Sequence, residues 1–300
     1  MNYSMIADII CNYPIGNLIS YYKIEKGNTA DTYFIETELG EWILRKIKNR
    51  EQGYTEFGIV NHLLNIGIEC VPKIVESLDN KATVCIQGKF YNLQEYFKGN
   101  EPAIEDVKII SKVAESIALV QKGLDTCHIA FENTDRFEIK YQWENAKNIW
   151  QELYTKNIVA FSNKDVENIV RKLSDLSSSN KQIIHGDLGI WNMLYKDDVL
   201  KIIDFGEARM GDYYFDIAGA LASISEKSKN IPIEIICDEF IESYAKKKFL
   251  LDTNKLLSYI HLWYWRGILA IALSSNIESN IKGKVIAEFV KTIDIFDNVF

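Results

Sequence analysis

The first hundred residues carry short apolar runs of the kind that form β-strands. Gly, Asn or Lys turns separate four runs rich in β-branched or aromatic residues: Tyr33–Ile35, Trp42–Arg45, Thr83–Ile86 and Phe90–Leu93. A helix interrupts these runs, because apolar residues recur at helical spacing from about Gln52 to Ile66 and Gly67 ends the pattern. This part of the chain is therefore predicted to be β-rich, with one helix.

From about Ala103 the pattern changes to that of long helices. Apolar residues recur at helical spacing over six stretches: residues 107–124, 141–154, 216–227, 233–248, 256–274 and 283–296. The change falls near residues 95–102, so we expect an α+β fold with two domains, a small β-rich domain over residues 1–98 and a larger helical one over 99–300.

A short hairpin pattern interrupts the helical half and carries candidate chemistry. The run His185-Gly186-Asp187 precedes Asn192 by five positions, and Asp204 follows after apolar residues on both sides of a polar turn. A hairpin at this spacing can place one carboxylate to orient a hydroxyl group and two oxygen ligands for Mg²⁺, as phosphoryl transfer requires. The structural alternative makes Asp187 a helix cap, Asn192 a turn residue and Asp204 a loop carboxylate.

Phosphate chemistry also needs groups that hold a nucleotide. Gly27, Asn28 and Thr29 lie between two strand-like runs, where a hairpin loop could cover the phosphates or be an ordinary turn. Arg45 and Lys46 are both candidates for the phosphate-holding cation, and strand alternation allows only one of them to face the site. We favour Arg45.

The partner of that cation is predicted on the following helix. Glu56 precedes Leu63 by seven residues, so both lie on one helix face and Glu56 can point inward; a solvated glutamate is the alternative. Backbone groups of Gln94, Glu95 and Tyr96 are expected to meet an adenine edge.

These residues together carry a family resemblance. His185-Gly186-Asp187 with Asn192, Ile203-Asp204-Phe205, and Gly211-Asp212 with Asp216 resemble the aminoglycoside phosphotransferase / choline kinase superfamily. The resemblance covers about residues 18–275 and implies a bilobal protein-kinase-like fold that binds ATP or GTP with Mg²⁺ and phosphorylates hydroxyl groups of small molecules. It implies Asp187 as catalytic base, Asn192 and Asp204 as metal ligands, Arg45 with Glu56 as the phosphate-holding pair, and Asp216 as a structural carboxylate.

The N-terminal half is also similar to the homoserine-kinase-like branch of that superfamily and to spore-coat kinase-like proteins. Asp204-Phe205-Gly206 reads as the D-F-G of protein kinases, but no A-P-E follows and the stretch from Asp204 to Asp216 is too short for an activation segment. We therefore expect a small-molecule kinase and not a protein kinase.

The acceptor is less constrained by sequence. Four residues are candidates for contacting the substrate, because aromatic and acidic groups bind amines: Trp191, Glu207, Trp263 and Trp265. Core packing is the alternative for Trp263 and Trp265. We expect a hydroxyl substrate that carries an amine, such as an amino sugar or aminoglycoside. Homoserine or a choline-type amino alcohol is one alternative, and a non-catalytic kinase-like binding or spore-coat protein is another.

Composition and net charge argue against several classes of partner and site. The net charge of −8 argues against nucleic-acid and anionic-membrane partners, and five scattered cysteines without a C-x-x-C pair argue against a zinc site or a disulfide framework. The N-terminus has no basic, apolar leader pattern. We expect a cytoplasmic monomer or homodimer.

Overall fold

The computed structural model describes residues 1–25, 31–131, 138–178 and 181–300. The chain groups into two compact units. Unit 1 contains residues 1–102, 119–130 and 190–208, and unit 2 contains residues 103–118, 131–189 and 209–300. The predicted division after residue 98 is close to the first of these boundaries, but two later segments pack with unit 1. A hydrophobic pattern is local and does not report such long-range packing.

Unit 1 contains an antiparallel sheet in the strand order β1-β2-β3-β6-β4, with β5 paired to β6. Its strands are β1 Leu18–Ile24, β2 Thr32–Thr37, β3 Gly40–Ile47, β4 Ile74–Val75, β5 Val84–Ile86 and β6 Lys89–Glu95. All four predicted strand runs lie in this sheet.

The two faces of the sheet have different neighbours. Leu44 and Leu93, which are direct partners on β3 and β6, belong to a buried apolar cluster with Ile6 and Ile9 of helix α1, Tyr3–Ile10. Because successive strand residues point to opposite faces, Arg45 projects from the other face. The sheet therefore has one apolar face against α1 and one that carries a charged group.

Helix α2, Arg50–Asn65, lies close to the sheet. It begins at Asn49, whose side chain accepts a hydrogen bond from the Gln52 N–H and so satisfies one of the first free donors. A Cβ on Gly53 would lie 2.1 Å from Thr83 and 2.5 Å from Ile47, so only glycine allows this approach. The approach brings the buried Glu56 of α2 toward β3.

A second small sheet completes unit 1. Strands β8, Met193–Lys196, and β9, Val199–Ile202, form the predicted hairpin, with a two-residue turn at Asp197 and Asp198. Both turn residues have positive φ, 50° and 61°, as a type I′ turn requires. The hairpin fixes the positions of the residues just before and just after it.

Unit 2 is mainly helical. Its helices are α4 Ile139–Thr155, α5 Asn163–Ser174, α6 Tyr214–Lys227, α7 Ile233–Ala245, α8 Thr253–Leu273 and α9 Ser279–Asp297. Helix α3, Val107–Leu124, as predicted, runs from unit 2 into unit 1. Two short strands, β7 Gln182–Ile184 and β10 Arg209–Gly211, pair in antiparallel fashion around the segment that follows β7.

Helix α8 is the core helix of unit 2. By length and composition alone it could cross a membrane, with a mean hydropathy of 1.3 over its most apolar stretch. Half of that stretch is buried inside the fold, where α8 packs against α4, α6 and α9. Burial against neighbouring helices accounts for its apolar composition.

Candidate active site

Arg45 of β3 and Glu56 of α2 form a buried ion pair. The guanidinium Nη1 lies 3.0 Å from Glu56 Oε2, and the two residues are 8% and 1% exposed. Buried charges need both a counter-charge and hydrogen bonds. Asn92, opposite Arg45 on β6, and Gln52, one turn before Glu56, donate hydrogen bonds to the Glu56 carboxylate at 3.3 and 2.8 Å.

Burial and the ion pair shift the pKa values of both partners. Burial raises the pKa of Glu56, and the attraction of Arg45 opposes this shift. Burial lowers the pKa of the Arg45 guanidinium, but Glu56 and then Asp204 more than offset that effect, so its pKa rises above the ordinary value. Arg45 is therefore a permanent cation with two carboxylate neighbours.

Lys46 has a different environment. It is half-exposed and its ammonium group lies 4.0 Å from Asp31. Of the two adjacent cations, Arg45 is the one that contacts Glu56, so the predicted pairing of Arg45 with Glu56 is confirmed.

Asp204 and Asn192 lie at the open end of the β8–β9 hairpin. Asn192 precedes β8, and its carbonyl accepts a hydrogen bond of 2.9 Å from the Ile203 N–H beyond β9. Asp204 has a positive φ of 65°, and its Oδ1 accepts hydrogen bonds from Arg45 and from the Gly206 N–H. The hairpin thus brings a carboxylate and an amide side chain to one end, and the carboxylate joins the Arg45 network.

The donor set at this end suits a hard divalent cation. A carboxylate and an amide oxygen are ligands that Mg²⁺ accepts, and Mg²⁺ usually keeps several waters. Within the described part of the chain, no group of three or more His, Cys, Asp or Glu residues could hold a metal by itself. Asn192 and Asp204 therefore fit Mg²⁺ that shares its coordination with water and phosphate oxygens. A small cleft lined by Glu56, Gln94, Asp204 and apolar side chains lies beside Asp204.

The segment that contains Asp187 belongs to unit 2 and is fixed by a buried carboxylate. Both oxygens of Asp216, which is 0% exposed, accept backbone hydrogen bonds, from His185 N at 2.7 Å and Gly186 N at 2.8 Å. Burial raises the pKa of Asp216, although the charges and hydrogen bonds around it act in the opposite direction. Gly186 has φ of 84°, a conformation that glycine adopts without strain. Asp187 itself is half-buried.

The backbone N–H groups of Glu95 and Tyr96 already have acceptors within the protein. Glu95 N–H donates to Lys73 O at 2.8 Å and Tyr96 N–H donates to Glu41 O at 3.3 Å, while Gln94 pairs within the sheet. These N–H groups therefore bond within the protein, and the expected contact of this segment's backbone with an adenine edge stays a prediction. In the described structure, the Phe97 N–H is the next donor along the chain without an acceptor.

The candidate substrate residues fall into both units. Trp191 is 40% exposed and Glu207 is half-buried, both in unit 1. In unit 2, Trp263 is half-buried and Trp265 is 4% exposed. Trp265 packs against the rings of Trp150 and Phe161, with centroids 6.3 and 5.7 Å away. Trp265 is thus a core residue, as the alternative interpretation of the sequence held, and the assignment of its ring to the substrate is corrected.

Some site residues were found only through the structure, and some lie outside it. Asn92 and Gln52 donate hydrogen bonds to Glu56 but belong to no sequence motif. Gln52 could have been found from its one-turn spacing to Glu56, and Asn92 only from the strand register. Gly27, Asn28 and Thr29 lie outside the described residues.

Comparison with known sequences adds a family and relatives. The model of the APH phosphotransferase enzyme family matches residues 21–250. A homoserine kinase of Neisseria meningitidis serogroup B is 22% identical over 289 residues, which cover 88% of this chain and 90% of that protein. A LicA homolog of Mycoplasma capricolum is 24% identical over 245 residues, covering 80% of this chain and 87% of that protein.

Solved structures share the fold at low identity. An amicoumacin kinase in complex with AMP-PNP and Ca²⁺ superposes with a TM-score of 0.71 at 14% identity, covering 99% of this chain and 94% of that one. A spectinomycin phosphotransferase in complex with ADP and its antibiotic has a TM-score of 0.69 at 13% identity, covering 100% and 98%. These neighbours establish the α+β protein-kinase-like fold that the motifs implied.

Proposed function

We propose that this chain, which belongs to the APH phosphotransferase enzyme family, transfers the γ-phosphoryl group of ATP to a hydroxyl group of a small molecule with the help of Mg²⁺. The chain is a small-molecule phosphotransferase of that family, and GTP is an alternative phosphoryl donor. The observation that carries the proposal is the network in which Arg45 contacts Glu56 and Asp204. Protein kinases use a strand cation that is paired with a helix glutamate, together with a loop aspartate that holds the metal.

Each step has a residue assigned to it. Asp187 accepts the proton of the acceptor hydroxyl as the hydroxyl oxygen bonds to the γ-phosphorus, while the bond from that phosphorus to the β–γ bridging oxygen breaks and ADP leaves. Arg45 holds the nucleotide phosphates, and Glu56 keeps Arg45 in place. Asn192 and Asp204 hold Mg²⁺, which when bound offsets negative charge on the phosphates.

The rest of the nucleotide is held by backbone. Gly27, Asn28 and Thr29 are proposed to cover the phosphates. Carbonyl oxygens of the 94–96 segment accept from the adenine amino group, and the Phe97 N–H donates to the ring, since the Glu95 and Tyr96 N–H groups already have acceptors. This assignment leaves the sheet hydrogen bonds intact.

The acceptor is proposed to carry an amine besides its hydroxyl. Amino sugars and aminoglycosides fit the solved neighbours, which are similar in fold alone, whereas an amino alcohol such as homoserine fits the curated sequence relative that spans 88% of this chain. Sequence similarity over that length favours the amino alcohol. Further parts of the proposal are a cytoplasmic location and a monomer or homodimer without nucleic-acid or membrane partners.

The test is a phosphorylation screen with a matched pair of variants. Purified protein is given Mg²⁺ with ATP or GTP and a panel of homoserine, choline, ethanolamine, amino sugars and aminoglycosides, and nucleoside diphosphate release is measured. Asp187→Asn should lower kcat by about 100- to 10,000-fold and leave Mg·ATP affinity nearly unchanged, because the base contacts the acceptor and not the nucleotide.

Asp197→Asn, in the exposed hairpin turn, is the control and should keep full activity. Loss of Mg·ATP binding together with activity in Asp187→Asn would contradict its role as base. A wild-type protein that binds nucleotide and turns over no hydroxyl compound would instead favour the non-catalytic alternative.

A further inference from the structure

Lys255, in the first turn of α8, lies among aromatic rings and beside a buried carboxylate. Its ammonium nitrogen lies 2.7 Å from Asp212 Oδ2, and the two side chains are 26% and 1% exposed. The same nitrogen lies 4.6, 5.7 and 5.9 Å from the ring centroids of Tyr214, Tyr213 and Tyr259. These distances are within the range of cation–π attraction, so rings and carboxylate together hold the ammonium group.

The stability of α8 alone does not explain a lysine at this position. The helix begins after Asp252, whose side chain accepts a hydrogen bond of 3.1 Å from the Lys255 N–H. A positive charge in the first turn is repelled by the positive end of the helix dipole, and a long side chain loses rotamer freedom when it is enclosed. The contacts of the ammonium group with Asp212 and the three rings offset these two costs.

Asp212 joins this lysine to the start of α6. Its Oδ1 accepts a hydrogen bond of 3.0 Å from the Tyr214 N–H, and its carbonyl oxygen accepts one of 3.0 Å from the Phe215 N–H. The first N–H groups of a helix have no acceptor within the helix, so Asp212 supplies what two of them need. The Tyr214 hydroxyl in turn accepts a hydrogen bond of 2.8 Å from the Asp252 N–H. The first turns of α6 and α8 are thus fixed to each other.

Asp216 connects the first turn of α6 to the segment that contains Asp187. It lies four residues after Asp212, and its two oxygens accept hydrogen bonds from the N–H groups of His185 and Gly186, directly before Asp187. Because a helical turn moves as a rigid element, a shift of the helix start displaces Asp216 and the segment bound to it. All of these residues belong to unit 2.

We propose that Lys255 is a positioning residue for Asp187. Its charge compensates the buried Asp212, which holds the first turn of α6, and Asp216 in that turn sets the position from which Asp187 meets the acceptor hydroxyl. The inference rests on the proposed function and adds to it a residue that belongs to none of the sequence motifs. Because the path leads to the base, the effect of Lys255 should fall on turnover and not on Mg·ATP affinity.

Hydrogen exchange tests the path without any acceptor. Lys255→Met keeps an apolar side chain among the rings but leaves Asp212 uncompensated, so the N–H groups of His185 and Gly186 should exchange roughly 10- to 100-fold faster. Lys282→Met, on α9, is the matched control. Lys282 is also buried, 8% exposed, but its ammonium group donates to the Ala272 carbonyl at 2.8 Å, near the C-terminal end of α8. This variant should leave exchange at the two N–H groups as in the wild type.

Steady-state kinetics tests the consequence for turnover. The acceptor is the compound of the phosphorylation panel that the wild type phosphorylates fastest. Lys255→Met should lower kcat roughly 10- to 100-fold and leave the KM for ATP within about twofold, because a small displacement of a base costs turnover. Lys255→Arg keeps the charge and should recover part of kcat. Lys282→Met should keep the wild-type kcat per folded molecule.

A second pair of variants tests whether Lys255 acts through Asp212. Asp212→Asn keeps an amide oxygen for the Tyr214 N–H but removes the charge that Lys255 compensates. Adding Lys255→Met to Asp212→Asn should therefore lower kcat no further, as expected for two residues that act as one pair.

The outcomes distinguish this inference from the proposed function. Wild-type exchange at His185 and Gly186 in Lys255→Met would overturn the inference. An equal loss of kcat in Lys282→Met would assign the effect to general destabilisation, and an additive loss in the double variant would remove Asp212 from the path; either result would also overturn it. A wild-type protein that phosphorylates no compound of the panel would contradict the proposed function, whereas the exchange rates would still decide whether Lys255 holds the Asp187 segment.

Discussion

A single side chain, Arg45, connects the carboxylate of Glu56 on helix α2 to the carboxylate of Asp204. Its guanidinium contacts Glu56 through Nη1 and Asp204 through Nη2, so a rigid fork spans two elements of unit 1. A lysine ammonium is a point charge and would not hold both carboxylates in a fixed plane. If Asp204 holds Mg²⁺ as proposed, its oxygens would be shared between Arg45 and the metal, and the position of the cation would then depend on metal binding.

The first prediction separates the structural role of Arg45 from its proposed role in nucleotide binding. Arg45→Met should lower the free energy of unfolding by about 3–5 kcal/mol, because it leaves Glu56 buried without its counter-charge. Lys46→Met should cost less than about 1 kcal/mol, since that lysine is half-exposed. Urea denaturation of both variants measures the difference, and a larger loss in Lys46→Met would contradict the assignment.

The double variant Arg45→Met/Glu56→Leu extends this test to function. Replacing both charges removes the uncompensated carboxylate, so much of the stability should return. Mg·ATP affinity should stay low, because the phosphate-holding cation is still absent. Wild-type Mg·ATP affinity in the double variant would show that Arg45 contributes to folding stability only.

The second prediction concerns thiol reactivity. None of the five cysteines forms a disulfide, and Cys11 and Cys85 are exposed. Burial raises the pKa of Cys70 to about 11, so at pH 8 about one molecule in a thousand carries its thiolate. Iodoacetamide at pH 8 should label Cys11 and Cys85 first, and Cys70 labelling should accelerate as the pH rises toward 11.

Peptide mapping by mass spectrometry measures this order, and urea-unfolded protein, in which all five thiols should react, is the control. Labelling of Cys70 at pH 8 as fast as that of Cys85 would mean that the thiol is not held in its buried environment.

At the scale of elements, the sequence predicted some structures and missed others for physical reasons. Helix α3 matches its prediction from Val107 to Leu124, because its apolar positions are regular over five turns. Helices α1 and α5 were not predicted. Helix α1 has only eight residues, and its apolar side is explained by packing on the sheet. Helix α5 begins with a capping box of Ser162 and Asp165, a local signal that the sequence does contain.

The candidate site also has contacts that local sequence patterns predict and contacts that they do not. Strand alternation limited the cation to Arg45 or Lys46 and helix spacing placed Glu56 on an inward face, since both rules are local, whereas the family resemblance supplied the pairing. The contact of Arg45 with Asp204 joins residues 159 positions apart, and no local pattern encodes it. The use of the Tyr96 N–H by Glu41, and the burial of Trp265, likewise depend on partners that only the folded chain brings near.

The third prediction tests the hairpin that positions Asn192 and Asp204. Asp198 has φ of 61° at the second turn position, where a type I′ turn prefers glycine. Asp198→Gly should therefore raise the free energy of unfolding by about 0.5 kcal/mol and leave kcat unchanged, because relief of backbone strain outweighs the added freedom of the unfolded chain.

Thermal unfolding and steady-state assays measure the two effects. Val199→Gly, in the adjoining strand β9, is the control and should destabilise the hairpin instead. A lower melting temperature for Asp198→Gly would mean that the aspartate side chain contributes more to the turn than its strain costs.

The fourth prediction concerns the whole molecule: binding of nucleotide and metal should raise its melting temperature. A ligand at 100 times its Kd stabilises the native state by about 2.7 kcal/mol, which for a chain of 300 residues is a rise in Tm of roughly 4 °C. If Asp204 is a metal ligand, the Mg²⁺-dependent part of that rise should vanish in Asp204→Ala and on addition of EDTA to the wild type. Asp197→Ala, 84% exposed in the hairpin turn, should retain it. An undiminished Mg²⁺-dependent shift in Asp204→Ala would remove Asp204 from the metal site and leave the Arg45 contact as its only assigned role.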